Sequence, residues 1–222
     1  PLILTVPVLT PTVSGSRMAK ALSKEGAMAV LHRYNTIDEQ PQLAFYVKED
    51  AANAKIAAAV GMSGDYLERS AALWSAGVDV LCIDVAHGHH EMMERCLKTL
   101  KDVYGDKVHL MAGNVATLEA FEDLSEWGAD SIRVGIGGGS ICSTRIVTGH
   151  GVPTFQSILD CAKTSYDTKI IADGGIKTTG DMVKALAAGA DFVMLGSMLA
   201  GTDECDGEWE NSTLTKEKSN LI

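Results

Sequence analysis

The chain lacks several features that would each have pointed to a class of function. It has no basic excess: 19 Lys and Arg stand against 29 Asp and Glu, a net charge of −10. With no positive field to neutralise phosphates, the composition argues against non-specific nucleic-acid binding. The five cysteines, Cys82, Cys96, Cys142, Cys161 and Cys205, are an odd number without a CxxC pair, which suits a reduced, cytoplasmic protein better than a disulfide framework. No apolar run reaches the roughly 18 residues that span a bilayer, and no charged-then-apolar leader opens the chain. The expectation is a soluble protein with neither a membrane nor a nucleic-acid partner. Pro1 is not expected to be a native start, so the N-terminus reads as trimmed or internal to a longer protein.

What is present decides the fold. With 222 residues, 46% hydrophobic and 22 glycines, the chain can bury one sizeable core. Eight short apolar runs of strand length follow one another: 2–8, 27–32, 55–61, 78–85, 108–113, 131–136, 169–172 and 191–195. Amphipathic segments lie between most of them, at 16–24, 65–75, 91–103, 118–126, 154–164 and 180–188. A signature of the type Ala-Gly-Ala-Asp recurs at 76–79, 127–130 and 188–191; it reads as a helix C-terminal glycine leading into a strand. Strands alternating with helices and apolar on both faces imply a parallel sheet. Eight such units imply a (β/α)8 TIM barrel, with its active site on the loops after the strands. An open doubly wound sheet would need a glycine fingerprint after the first strand, and there is none. The barrel is expected over residues 1–202. The segment 34–50 does not fit the alternation, and the polar stretch 203–222, without apolar periodicity, is expected to be a flexible tail.

The stretch Ser131–Pro153, SIRVGIGGGSICSTRIVTGHGVP, carries the chemistry. A β-run ends in four clustered glycines, where backbone can approach a ligand closely, and then presents Cys142 between small polar residues. An arbitrary cysteine is a buried small hydrophobe; here the glycines and the polar Ser143, Thr144 and Arg145 point to a nucleophile. Loop N–H groups and Arg145 could favour its thiolate. Other strand-end loops hold polar groups with no core duty. Asp84 is followed by His87, His89 and His90, a cluster short of zinc spacing. Asn114 is either a turn residue or a group facing the reaction centre. Asp173 precedes Gly174 and Gly175, and Gly196-Ser197 is expected to precede a helix. Loops after the seventh and eighth strands commonly bind phosphate through backbone N–H groups.

The run GIGGGSICSTRIVTGHGVP resembles the catalytic loop of the IMP dehydrogenase and GMP reductase family, usually G-x-G-P-G-S-x-C-x-T-R-x-x-T-G-x-G. The departure is Gly138, where the family carries proline, which reads as a looser loop. The resemblance implies that Cys142 is the nucleophile and Thr144 the activator of water or ammonia. It implies that Ser140, Gly174, Gly175, Gly196 and Ser197 hold the 5′-phosphate end of a purine nucleotide (IMP, XMP or GMP), with Asp173 accepting both ribose hydroxyls. Asp84, His87, Asn114 and Arg145 would face the nicotinamide cofactor, NAD or NADPH. Main-chain carbonyls of Gly137, Gly139 and Cys142 would bind potassium, and the barrels would form a homotetramer. A regulatory CBS pair, inserted in relatives after a segment like HRYNTIDEQ, has no room at Gln40-Pro41, and the family's flap is not recognisable in 203–222.

Both family activities fit an adduct at C2 of the purine. The stretches KEDAANAKIAAAVG and CSTRIVTGHGVP look more like the dehydrogenase, whereas the missing CBS module and the Asp-Val-Ala-His run look as much like the reductase. The reading leans to IMP dehydrogenase. A flavin-dependent phosphate-binding barrel and a catalytically silent nucleotide-binding barrel are the readings from other classes.

Overall fold

The computed structural model describes residues 11–207, together with the backbone of residues 4–5, 209–210 and 213–214. Its elements alternate in chain order: β1 (Leu4–Thr5), α1 (Ser16–Lys24), β2 (Val30–Leu31), α2 (Glu39–Asp50), β3 (Ala57–Val60), α3 (Tyr66–Ser75), β4 (Val80–Ile83), α4 (Glu91–Tyr104), β5 (His109–Val115), α5 (Leu118–Glu126), β6 (Ser131–Val134), α6 (Thr144–Thr148), α7 (Thr154–Cys161), β7 (Lys169–Asp173), α8 (Thr179–Ala187), β8 (Phe192–Met194), β9 (Trp209–Glu210) and β10 (Thr213–Leu214). The first eight strands form one parallel sheet in the order β1-β8-β7-β6-β5-β4-β3-β2, so the first strand in the chain lies beside the last of the eight. Among the described residues no pairing joins β1 to β2.

Alternation along the strands divides the core in two, because successive side chains leave a strand on opposite faces. One set, including Val30, Ala59, Cys82, Met111, Ile171 and Met194, packs together on one face. The other, including Leu31, Ala58, Leu81, Leu110, Ile132 and Val193, packs against the helices. Strands β2 and β8 stand far apart in the sheet order yet share the first cluster, so the sheet is curled with that cluster inside. The helices bury one stripe each: α4 buries Met93, Cys96, Leu97, Leu100 and Tyr104, the three-to-four-residue spacing of an amphipathic helix.

The recurring aspartates have a structural duty at the strand starts. Asp79, Asp130 and Asp191 each accept a hydrogen bond from the backbone N–H of the preceding strand, at Ile56 (3.1 Å), Leu110 (2.8 Å) and Ile170 (2.8 Å). In each case the aspartate's own N–H donates back to the carbonyl of the same residue. These reciprocal pairs tie β3 to β4, β5 to β6 and β7 to β8. At the corresponding place before β2 the sequence reads Gly26-Ala27-Met28, and Met28 joins the interior cluster instead.

Several expectations need correction. The segment 34–50, expected to break the alternation, contains the twelve-residue α2. Thr36 and Glu39 bond reciprocally, Thr36 N–H to Glu39 Oε2 (2.9 Å) and Glu39 N–H to Thr36 Oγ1 (3.2 Å), the arrangement of a capping box. Pro41 falls in the first turn, where its missing N–H removes no helical bond. A second unexpected helix, α6, begins two residues after Cys142. Gly196-Ser197 opens a tight turn rather than a helix, with Leu199 and Ala200 N–H both donating to Gly196 O. In the expected flexible stretch, Cys205 is buried and bonds the Leu199 carbonyl at 3.1 Å, and β9 pairs antiparallel with β10. Residues 208, 211–212 and 215–222, like most of the expected first strand at 2–8, lie outside the described residues.

Candidate active site

The inner face of the sheet changes character toward the C-terminal ends of its strands. Midway along the strands it is apolar, with Cys82, Met111 and Ile171 inward, below which His109 Nε2 and Ser131 Oγ pair at 2.8 Å; above, the inward positions are Asp84, Gly113, Arg133 and Asp173. On β6 the alternation sends Ile132 and Val134 toward the helices and Arg133 inward, where it is 2% exposed. Gly113 makes room for it: a Cβ at residue 113 would stand 2.8 Å from the Arg133 Cβ. The guanidinium Nη2 donates to Asp84 Oδ1 at 2.7 Å, and Nη1 lies 3.8 Å from Asp173 Oδ2. Burial works against the Arg133 charge, but Cys82, Asp84 and Asp173 outweigh it and raise its pKa. Burial also raises the Asp173 carboxyl, a shift that Arg133 and Asn114 oppose and Asp84 reinforces.

Asn114 turns its side chain toward Asp173. Its Nδ2 donates to Asp173 Oδ2 at 2.7 Å and to the Gly135 carbonyl at 2.8 Å. Asp173 therefore has one oxygen engaged and the other, Oδ1, without a protein partner among the described residues. An ionised carboxylate is acceptor-only, so the open oxygen can take hydroxyl donors.

The cysteine loop lies against the loop after β7. A Cβ on Gly135 would stand 1.9 Å from the Asp173 carbonyl, and one on Gly174 would stand 2.9 Å from Gly139 N. Both glycines also have positive φ, 150° and 90°, so these positions require glycine twice over. Gly138, read as a loosening of the family pattern, is closely packed: a Cβ there would meet Thr154 Oγ1 at 2.4 Å. Cys142 is half-buried, whereas the other four cysteines are buried. Burial pushes the thiols of Cys82, Cys96 and Cys161 up to about 12, which makes them inert at neutral pH. Cys142 Sγ lies 3.3 Å from Thr144 Oγ1. The aliphatic stem of Arg145 lies between Gly137 and Gly151, and a cleft of about 560 Å³ opens beside it, lined also by Gly138, Gly174, Gly175 and Lys184.

The remaining expected residues lie on the loops after β4, β6, β7 and β8. Ser140, Gly175 and Ser197 are exposed and Gly196 is half-buried. The N–H groups of Gly175, Ile176, Ser197 and Met198 have no protein acceptor among the described residues, leaving donors for an anion. The three histidines after β4 separate rather than gather. His87 is exposed, His89 bonds Asp123, and the side chain of His90 caps α4 by accepting the Met92 N–H. Asp84 is 4% exposed, with Oδ1 on Arg133 and Oδ2 without a protein partner among the described residues. Sequence reasoning missed Arg133. Its signal was a charged residue inside a four-residue buried strand, at an inward register position.

A model of the IMP dehydrogenase / GMP reductase domain matches residues 2–220. The chain is 50% identical over 162 residues to an inosine-5′-monophosphate dehydrogenase of Nitrosopumilus maritimus (strain SCM1), covering 72% of this chain and 34% of that protein. It is 52% identical over 155 residues to a GMP reductase of Leishmania major, covering 68% and 32%. Over 217 residues it is 44% identical to an inosine-5′-monophosphate dehydrogenase of Staphylococcus aureus (strain Mu50 / ATCC 700699), covering 94% and 44%. The chain thus spans a third to under half of the length of the curated relatives it matches. With a parallel α/β sheet, a half-buried cysteine on a glycine loop and two carboxylates joined by a buried arginine, the chain belongs to the IMP dehydrogenase / GMP reductase family.

Proposed function

We propose that the sheet closes between β1 and β2 into a (β/α)8 barrel and that its mouth oxidises IMP to XMP with NAD, through a covalent bond to Cys142. The pairing of β1 with β8 and the shared interior cluster support closure. The observation that carries the chemistry is the position of Cys142, the one half-buried thiol among the described cysteines, on a loop packed against the Asp173 loop.

The Cys142 thiolate adds to C2 of the hypoxanthine, forming a C–S bond while an adjacent ring nitrogen takes up a proton. A nicotinamide, when bound, accepts the hydride that leaves C2. The thioimidate left on Cys142 is cleared by water: a C–O bond forms, the C–S bond breaks, the thiolate is regenerated with XMP, one water proton stays on the product and the net proton passes to solvent. Thr144, 3.3 Å from the sulfur, orients the water. Asp173 Oδ1 receives the ribose hydroxyls, while Ser140, Gly174, Gly175, Gly196 and Ser197 take the 5′-phosphate.

The residues present fit a nicotinamide dinucleotide. Asp84 keeps one unused acceptor oxygen, His87 is exposed three residues on in the same loop, and Asn114 bonds Asp173; Arg145 packs along the cysteine loop. Val85 borders a cleft of about 180 Å³ lined by Arg33, Ser63 and Arg69. Arg33 has no ion-pair partner among the described residues, and a cation there suits the cofactor's phosphates. Potassium belongs to the same reading through the carbonyls of Gly137, Gly139 and Cys142. Gly139 O already accepts the Cys142 N–H at 3.2 Å and retains a second lone pair. The assembled form is a homotetramer, and the cell compartment is the cytoplasm.

A second reading, reduction of GMP to IMP with NADPH and release of ammonia, uses the same nucleophile and is favoured by the 52% identity to a GMP reductase. A paired assay decides: IMP with NAD against GMP with NADPH, followed at the nicotinamide absorbance band. The dehydrogenase reading expects NADH formation in the first arm alone. Turnover in the second arm alone would reverse it.

A further inference from the structure

The loop between β4 and α4 carries Asp84 and His87, and its two ends are fastened in different ways. At the inner end, backbone bonds join it to the end of β5. Val85 N–H donates to Gly113 O (3.3 Å), Asn114 N–H to Val85 O (3.1 Å) and Gly88 N–H to Asn114 O (2.8 Å). Gly88 is buried, and a Cβ there would stand 3.1 Å from both Asn114 O and Gly113 C, so the loop lies directly on the Asn114 backbone. At the outer end the fastening is by side chains. His89 Nε2 lies 2.7 Å from Asp123 Oδ2 on α5, and the His89 ring packs on the indole of Trp127, centroids 5.9 Å apart at 31°.

We propose that His89, Asp123 and Trp127 form a clasp that holds the Asp84 loop in its cofactor-binding position, which makes His89 a positioning residue that touches neither nucleotide. The inference rests on the reading above, in which this loop faces the dinucleotide. Its specificity comes from geometry: α5 follows β5, so the clasp fixes the loop from outside while Asn114 fixes it from inside. The purine site, on the cysteine loop and the loops after β7 and β8, makes no contact with the clasp. A ligand that needs the loop ordered gains at most the free energy that the clasp contributes to ordering it. His89 and Asp123 are 31% and 41% exposed, so solvent screens the pair.

The test is a calorimetric titration of the purified chain. IMP binding is measured first, and NAD binding to the IMP-saturated protein second, all in a Cys142→Ala background that blocks turnover, for the otherwise wild-type chain and for His89→Ala, His89→Gln and Asp123→Ala. Both alanine variants are expected to weaken NAD binding about fivefold, a factor equivalent to about 1 kcal/mol, and to leave IMP affinity unchanged. His89→Gln, whose amide can still donate to Asp123, is expected to recover most of the loss. Unchanged NAD affinity in both alanine variants would overturn the clasp. A parallel fall in NAD affinity, IMP affinity and melting temperature would also overturn it, by showing a purely structural role. Absence of NAD binding in the otherwise wild-type chain would instead remove the functional reading beneath it.

Discussion

Replacing Arg133 with methionine tests the polar layer at the mouth of the sheet. The side chain is 2% exposed and its Nη2 donates at 2.7 Å to Asp84, whose side chain is 5% exposed. Methionine fills much of the same volume, so the main effect is electrostatic: Asp84 stays buried without its cation, and Asp173 loses a second favourable charge. Removing one partner of a buried ion pair costs about 3–5 kcal/mol, a large part of the roughly 5–15 kcal/mol that holds a domain together. At about 2–4 °C per kcal/mol for a chain of this size, the melting temperature should fall by roughly 6–20 °C. Urea unfolding followed by tryptophan fluorescence at neutral pH measures the loss. Adding Asp84→Asn removes the stranded charge and should restore at least about 2 kcal/mol, because a neutral amide is far cheaper to bury than an unpaired carboxylate. A loss under about 1 kcal/mol in Arg133→Met, or no recovery in the double variant, would refute the argument that the arginine neutralises this layer.

Four further outcomes follow from the same geometry. The Asp173 carboxyl is raised above its ordinary 3.8 by burial; its stability contribution is therefore complete below that value and is lost as pH rises through the folded-state value. The stability of Asp173→Asn relative to wild type should accordingly increase with pH across that window, and denaturant melts at several pH values check it. Gly174→Ala should destabilise the chain by more than about 1 kcal/mol, from a positive φ and a 2.9 Å clash with Gly139 N; thermal melts measure it. Asp130→Ala should cost about 1–2 kcal/mol, the range for a hydrogen bond to a charged group discounted for partial exposure, whereas Asp106→Ala, at a 97% exposed side chain, should change the urea midpoint little. Gly138→Ala should be destabilising through its 2.4 Å approach to Thr154 Oγ1, and Thr154→Ala in the same chain should relieve it, a coupling that a double-mutant cycle reads directly.

Much of the fold was legible because its signals are local. Short apolar runs with helical segments between them, closed by a repeated glycine and aspartate, fixed the number and order of the eight parallel strands before any contact was known. What escaped was information carried across the sheet. The capping box of α2 is present as Thr36-Ile37-Asp38-Glu39, but the helix it opens carries Pro41 in its first turn and no clear apolar stripe, so its period is weak in the sequence. Arg133 was hidden because a strand's inward set becomes meaningful only when the partners of that face, Asp84 and Asp173, are brought to the same level by register. Asn114 could be read as a turn residue or a site residue from sequence; its 2.7 Å bond to Asp173 joins two strand ends, a contact no local pattern announces. In the repeated signature the glycine was read as the helix stop, and the duty of the aspartates, tying strand starts in pairs, needs the ladder to be seen.

The account turns on one sulfur atom. The most direct test incubates the chain with IMP labelled in the purine ring and NAD, quenches in acid, and maps the label by proteolysis. The account predicts label retained on the peptide that carries Cys142, dependent on NAD and absent from Cys142→Ala, whose IMP affinity by calorimetry is unchanged. NADH formation at the wild-type rate in Cys142→Ala, or label attached to another residue, would contradict it.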